Sequence, residues 1–402
     1  MFSDLSWEEQ FLLLGSTLHI SSPDLLRLEQ ISQNISDWDS VLTKAQSTAL
    51  AALIFKNCTR FSDQNLLPNQ VVKTLQANYY RYLSSNIRLY NDFTHAAKVL
   101  QQEGLDFIPL KGIMLLDVLY VDYGLRITGD IDLLVRAQDV ERVKNVLLNN
   151  EWKLVLMHPK KSEFFERQEI FHHPYCLIKN NSVIELHRHV HSSFSHFKIN
   201  IDDYWSRSVF CAFSGVNGRN FCVEDLLQHL CTHQYTHLIS GQFRFSSFND
   251  IVEMLLLHWE QIDWHLLYAS SVQYNCLKEV QQIMFLCQSY WNSNVPAFFF
   301  EGIASPINEL ESVFLCALNG DQFGVQKALA KVQYQISNVI ILSSFSGWKS
   351  KLRYVVDDVF PQKSYMVARY KMRYTFLLPI YYLWRIWIGL SKIVLKFTFS
   401  KA

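Results

Sequence analysis

Apolar and polar positions change period along the chain, and each change marks a new kind of element. From residue 1 to about 103 the apolar residues recur at helical spacing. Ser6-Trp7-Glu8-Glu9 reads as a helix start and Ser22-Pro23-Asp24 as another, while Pro68 precedes a long amphipathic run from Val71 to Glu103 that Gly104 closes. The period then shortens. Phe107-Ile108-Pro109-Leu110 predicts a strand, Ile113 to Tyr120 an apolar helix, and Ile131 to Val135 a strand that ends buried. Ala137 to Val143 returns as a helix and Glu151 to Leu156 as a strand. Lys179-Asn180-Asn181-Ser182 lies between two β-rich runs and predicts a hairpin. A second strand–turn–strand signal lies around Val216-Asn217-Gly218. From Glu224-Asp225 helices resume and continue to about residue 340.

This alternation predicts an α+β fold, a small mixed sheet with helices. We divide the chain into a helical region (1–103), a mixed core (104–223), a helical domain (224–345) and a C-terminal helical tail that is apolar and basic (346–402). At 402 residues, and roughly 150 per domain, two to three domains are expected. The N-terminal helices read equally well as a lid and as a bundle that buries the outer face of the sheet. The most apolar stretch, Arg373 to Lys396, would need about twenty uninterrupted apolar residues to cross a membrane. Pro379, Arg385, Gly389 and Lys392 interrupt it. Packing back onto the preceding bundle is the preferred reading, and an amphipathic helix lying on a membrane surface is the second.

Composition narrows the class. Hydrophobic residues make up 49% and charged residues 18%, with a formal net charge of zero. A globular chain follows, one that is not an overall electrostatic sponge for nucleic acid. Eight scattered cysteines form no Cys-x-x-Cys pair and read as reduced thiols, which argues against structural zinc. Acids stand in MFSDLSWEEQFLLL where an export signal would need a basic start, so a cytoplasmic location is expected.

The chemistry gathers around Gly129-Asp130-Ile131-Asp132-Leu133-Leu134-Val135. On a strand, Asp130 and Asp132 point to the same side, and two carboxylates so close repel unless a cation sits between them. A hard divalent ion such as Mg²⁺ fits, with a chance pair on a solvated edge as the bland alternative. Lys111-Gly112 stands where the first strand meets its helix, and a glycine there lets a phosphate approach backbone N–H groups. Arg126 and Thr128 come just before the aspartates.

Lys111, Gly112, Leu115, Tyr120, Arg126 and the run Asp130 to Val135 resemble an uncharacterised bacterial nucleotidyltransferase family of the DNA polymerase β-type superfamily. Ile113 departs from the pattern, since many relatives carry a small residue there. The resemblance runs strongly to residue 190 and loosely to about 300. It implies a polymerase β-type core in residues 104–223, flanked by N- and C-terminal helical regions, and a third carboxylate on a later strand. Glu185 in Glu185-Leu186-His187 fits that place, with His187 close by. By the resemblance, Asp130, Asp132 and Glu185 would hold Mg²⁺, with Mn²⁺ as substitute, and would carry catalysis. Lys111 and Arg126 would meet the β- and γ-phosphates, and Gly112, Thr128, His187 and His233 complete the expected nucleotide site.

His187, His189 and His191 share a strand parity that allows a transition-metal site, but phosphate binding or a hydrogen bond is the preferred reading. His229, His233 and His237 lie four apart on one helical face without the glutamate of a zinc protease. His229 and His237 read as packing or surface residues. Lys160, Lys161 and Arg244 are weaker candidates for phosphate contact.

The implied reaction moves a nucleoside monophosphate from a triphosphate, ATP among the candidates, to a hydroxyl of an acceptor that the sequence leaves open among protein, peptide, sugar and RNA. Relatives suggest peptide natural-product or polysaccharide assembly. A toxin-like enzyme acting on transfer RNA and a non-catalytic nucleotide-binding scaffold are the other readings.

Overall fold

The structure is a computed structural model of the chain. It describes residues 2–63, 65–155, 172–192, 195–241, 245–302, 307–329 and 347–387 except 362, 371 and 373. The fold is mixed α and β, a small sheet among many helices, as the sequence predicts.

Helices α1 (Trp7–Gly15), α2 (Ser22–Ser32), α3 (Trp38–Ser47) and α4 (Ala51–Cys58) pack as a bundle against α5 (Asn69–Gln102). The predicted start at Ser6 is a full capping box. The Ser6 hydroxyl accepts from the Glu9 N–H, and the Glu9 carboxylate accepts from the Ser6 N–H. The 34-residue α5 ends at Gly104, whose φ of 66° suits a glycine helix stop.

The sheet follows at once. Strands β1 (Phe107–Leu110), β2 (Ile131–Val135), β3 (Lys153–Val155), β4 (Tyr175–Lys179) and β5 (Ser182–His187) lie in the order β1-β2-β5-β4-β3. β2 and β5 are parallel, and the other pairs are antiparallel. The predicted hairpin is present, with Asn180 and Asn181 both at positive φ. All five residues of β2 are buried, because neighbours pair on both edges and helices cover the faces. Between β1 and β2 the chain forms α6 (Lys111–Leu115) and one π-helical turn, Leu116–Tyr120. After β2, α7 (Val140–Asn149) packs against α5.

One predicted turn is displaced. After α8 (Ile201–Arg207), the second hairpin pairs β6 (Val209–Phe213) with β7 (Val216–Asn220) and reverses at Ser214-Gly215 rather than around Val216-Asn217-Gly218. Both turn residues have positive φ, as a tight two-residue hairpin requires. Gly218 lies within the strand. A Cβ there would stand 3.0 Å from the Phe107 ring, so its bareness lets the hairpin close on β1.

The later helices, α9 (Val223–Ser240), α10 (Ser246–His258), α11 (Trp264–Gln273) and α12 (Leu277–Trp291), pack around α9. α13 (Ile307–Leu318) and α14 (Gln322–Leu329) follow. Glu253 of α10 reaches back to the N-terminal helices, accepting from the Leu18 N–H at 2.6 Å and from His19 Nδ1 at 2.9 Å. Asn249 donates to the Ser16 carbonyl at 3.0 Å. The first and later helical regions are thereby fastened across one side of the sheet.

Candidate functional site

The strand register brings two of the three predicted acids side by side. Asp132 pairs with Glu185 across the parallel β2–β5 ladder and with Leu110 across β1. Residues directly opposite on neighbouring strands share a face, so both carboxylates emerge together. His187, two residues beyond Glu185, shares that face. Its Nε2 lies 2.7 Å from Asp132 Oδ1 and 3.6 Å from Glu185 Oε2. Asp132, Glu185 and His187 offer donor atoms within 4.8 Å of one another, a set able to hold a metal ion. Asp130 lies one residue before β2 and outside that set, but lines the same cleft.

Lys111 completes the cluster. Its Nζ sits 3.1 Å from Asp132 Oδ2, and its backbone has φ of 50° at the junction of strand and helix. A lysine in that conformation is uncommon, and the junction turns its side chain back over the strand end. Gly112 is bare for a reason of packing. A Cβ on it would come within 2.8 Å of both Arg126 Nη1 and Thr128 Cγ2. The space beside this glycine is therefore filled by the segment that precedes β2.

That segment is pinned from two sides. Asn86 of α5 donates to the carbonyls of Tyr123 and Arg126 at 2.6 and 2.5 Å, and its side-chain oxygen accepts from the Thr128 N–H. Arg126 makes a bidentate pair with Asp250 of α10, at 2.9 and 2.7 Å, and Tyr120 donates to the same carboxylate at 2.8 Å. The remaining Arg126 nitrogen, Nη1, donates to the Ile127 carbonyl and to Thr128 Oγ1, both at 3.1 Å. Arg126 thus lines the cleft with its forked face already committed.

The two clusters titrate differently. Repulsion from Asp132, followed by burial, pushes the Asp130 carboxyl up to about 6. Burial would also raise Asp132, but Lys111 and His187 outweigh it and hold that carboxyl well below the usual range. For Glu185 burial is outweighed by the nearby His187 imidazole, and the carboxyl is lowered. Burial disfavours the charged forms of His187 and Lys111, yet Asp132 outweighs it in both and holds them above their ordinary values. Three carboxylates therefore share one lysine and one imidazole, an excess of negative charge that a divalent cation would relieve. The His187 Nδ1 atom is buried with no hydrogen-bond partner among the described residues.

The acids open into a cleft of about 870 Å³ whose lining includes seven histidines. Its wall is formed partly by α9 and partly by the segment after β5. Burial holds His172, His191 and His233 well below the ordinary histidine value, so these rings are neutral at pH 7 and bring no charge to a phosphate. The predicted His233 does face the cleft, its ring centroid 4.2 Å from that of His237. His229 lies behind, fully buried and pushed down to about 3, first by burial. The shared parity of His187, His189 and His191 does not converge on a metal, because β5 ends at His187. His189 turns to the Ile199 carbonyl at 2.9 Å and His191 to Thr232 Oγ1 at 2.9 Å. Lys160, Lys161 and Arg244 lie outside the described residues. Asp250 is the functional-looking residue whose partner sequence reasoning missed, 124 positions from Arg126.

A carboxylate pair borne on adjacent strands thus stands beside a lysine at the neighbouring strand end, with the cleft before it. The family described as uncharacterised nucleotidyltransferase matches residues 34–292, and the chain belongs to that family. The resemblance drawn from the residues around Asp130 is borne out. No curated protein and no solved structure matches the chain. Membership supports nucleotidyl transfer from a nucleoside triphosphate as the class of reaction, and such enzymes generally use divalent metals.

Proposed function

We propose that the chain transfers a nucleoside monophosphate from a nucleoside triphosphate to a hydroxyl of an acceptor, with Asp130, Asp132 and Glu185 as the catalytic carboxylates. The observation that carries this reading is the direct register of Asp132 and Glu185 on parallel strands, with more negative charge than Lys111 and His187 offset. Asp132, Glu185 and His187 would hold a divalent ion, with Asp130 at the edge of the same site. An imidazole beside two carboxylates suits Mn²⁺ as well as Mg²⁺. When bound, such ions neutralise triphosphate charge and lower the pKa of an attacking hydroxyl.

The chain's own residues have separable duties in this reading. Lys111 is the mobile cation. It stays charged at pH 7 and exchanges its contact with Asp132 for a phosphate oxygen. Arg126, bound to Asp250, holds the 126–128 segment beneath the phosphates, leaving only Nη1 to turn toward them. Gly112 lets that segment seat against α6, and Thr128, His187 and His233 complete the nucleotide pocket with neutral or shared donors. The mixed core, 104–223, would hold the chemistry, and the helical domain after it would supply Asp250 and His233. The tail, 346–402, lies beyond the family match. Scattered cysteines without a Cys-x-x-Cys pair support a reducing cytoplasm as the setting of the reaction.

The deciding experiment incubates the full chain with ATP, GTP, CTP and UTP, each labelled at the α-phosphate, Mg²⁺ or Mn²⁺, and fractions of protein, RNA or small molecules. Metal-dependent transfer of label in one fraction, lost in Asp132→Asn, is expected. Transfer that persists undiminished in Asp132→Asn would overturn the assignment.

A further inference from the structure

The whole chain sums to zero charge, but its distribution is lopsided. Residues 346–402 hold eleven Lys and Arg against two Asp, a net charge of +9, so the first 345 residues carry −9. In the described part of this tail, α15 (Trp348–Val359) and α16 (Lys363–Tyr370) are followed by helical residues 378–387. These pieces pack on one another. Phe360 meets Tyr382 with ring centroids 5.5 Å apart, Tyr370 meets Tyr381 at 5.3 Å and Trp384 at 5.6 Å, and Tyr382 donates to the Pro361 carbonyl. Met366 is fully buried and Tyr354 nearly so.

The outward side is apolar. Trp348 is 69% exposed, Phe376 75%, Leu383 68% and Trp387 66%. Leu352, Val355, Val356 and Ile380 are also exposed. Positions 348, 352 and 355–356 repeat at helical spacing, as do 380, 383–384 and 387, so each run forms one stripe. Lys349, Lys351, Lys363 and Arg369 stand exposed around these stripes. The sequence-based preference for a segment packed back onto the bundle is thus not met by these side chains.

We infer that this tail docks the protein in the plane of an anionic lipid bilayer, its tryptophans and aliphatic side chains entering the headgroup boundary. Charge complementarity selects the occupant. A tail sequence of net charge +9 is attracted to anionic headgroups while the −9 remainder is repelled, which favours one orientation. A second tail of the same charge would be repelled. Nucleic acid would accept the lysines and stack on the tryptophans, but it offers nothing to exposed Leu352, Val355, Ile380 and Leu383, whereas acyl chains do. Among the described residues no helix is long and apolar enough to cross a membrane, so contact lies in the surface plane. This inference does not rest on the chemistry assigned to the cleft.

The test is co-sedimentation of the full chain with vesicles of phosphatidylcholine alone and of phosphatidylcholine with 30% phosphatidylserine, followed by tryptophan emission. Binding to the anionic vesicles alone is expected, with a blue-shifted emission and a loss of at least tenfold at high salt. Lys349→Glu/Lys363→Glu should lose binding at least tenfold with an unchanged melting temperature, and Trp348→Ser/Trp387→Ser should lose the blue shift. Equal binding to both vesicle types would overturn the inference. So would no binding to either, or binding to a generic RNA that anionic vesicles cannot displace.

Discussion

Arg126 and Asp250 meet as one cation and one anion, both buried, with two nitrogen and two oxygen atoms interlocked and Tyr120 donating to the Oδ1 that Arg126 Nε also holds. On the same cleft, Asp130, Asp132 and Glu185 share Lys111 and His187, and the Asp130 carboxyl stands at about 6 because the balance fails. The first cluster is closed and has no call for a ligand. The second is left short of positive charge and is complete only with a cation. Burial alone does not mark a functional group; an unbalanced buried charge does.

The largest effect should come from the open cluster. Asp132→Asn and Glu185→Gln are each expected to reduce transfer by about a thousandfold or more, since metal-assisted charge stabilisation is worth several kcal/mol. The loss of activity should far exceed the loss of stability. Asp132→Asn removes the counter-charge that Lys111 and His187 share, at some cost in the melting temperature of the metal-free protein, and Glu185→Gln costs less. Steady-state rates beside thermal melts would check both halves. Transfer left intact in both variants would make this cluster structural, like its neighbour.

The closed cluster should respond the opposite way. Asp250→Asn leaves the Arg126 guanidinium buried without its counter-charge, at a cost of about 3–5 kcal/mol in stability. The double change Arg126→Met/Asp250→Leu should recover much of that loss, measured by urea unfolding. Recovery of stability without recovery of transfer would show that Arg126 also serves the nucleotide through Nη1.

Legibility followed range. The Asp132–Glu185 pairing was expected only through the family resemblance, since no local signal sets two strands so far apart in the chain side by side. The Ser6 helix start and the Asn180-Asn181 turn were legible because a few neighbouring residues fix them. The second hairpin turn was misplaced because Gly218 looks like turn chemistry, while its role is to admit the Phe107 ring from a distant strand. The histidine parity failed at a strand end that no local signal marked. Nothing local joins Asp250 to Arg126 across 124 residues.

A smaller effect separates the clusters by pH. Asp130 must lose its proton to assist a cation, and that proton is held up to about 6. Divalent-ion affinity, read by calorimetry with Mn²⁺, should therefore fall as pH drops through about 6. It should still be rising above that, because His187 is held above its ordinary value and must also lose a proton to bind an ion. The Arg126 guanidinium offers no such transition, since Asp250 outweighs burial and holds an already charged arginine higher still.

The smallest effect tests the imbalance itself. Repulsion from Asp132 raises the folded-state pKa of Asp130 from 3.8 to about 6, so the folded protein binds that proton more tightly than the unfolded chain does. Where the folded state holds more protons, stability falls as pH rises. Asp130 should therefore weaken the metal-free protein progressively between about pH 4 and pH 6, with the loss persisting above. Water in the cleft screens part of the repulsion, and about 1 kcal/mol is expected to reach the folding equilibrium. Asp130→Asn carries no proton to lose and should be more stable than the parent by that amount at pH 7.5. The difference should vanish near pH 4, and saturating Mn²⁺ at pH 7.5 should reverse it, because the parent gains a cation that the variant holds less tightly. Urea melts of both proteins at the two pH values, with and without the ion, give the four numbers needed. An Asp130→Asn variant no more stable than its parent at pH 7.5 would mean that the three carboxylates are already balanced.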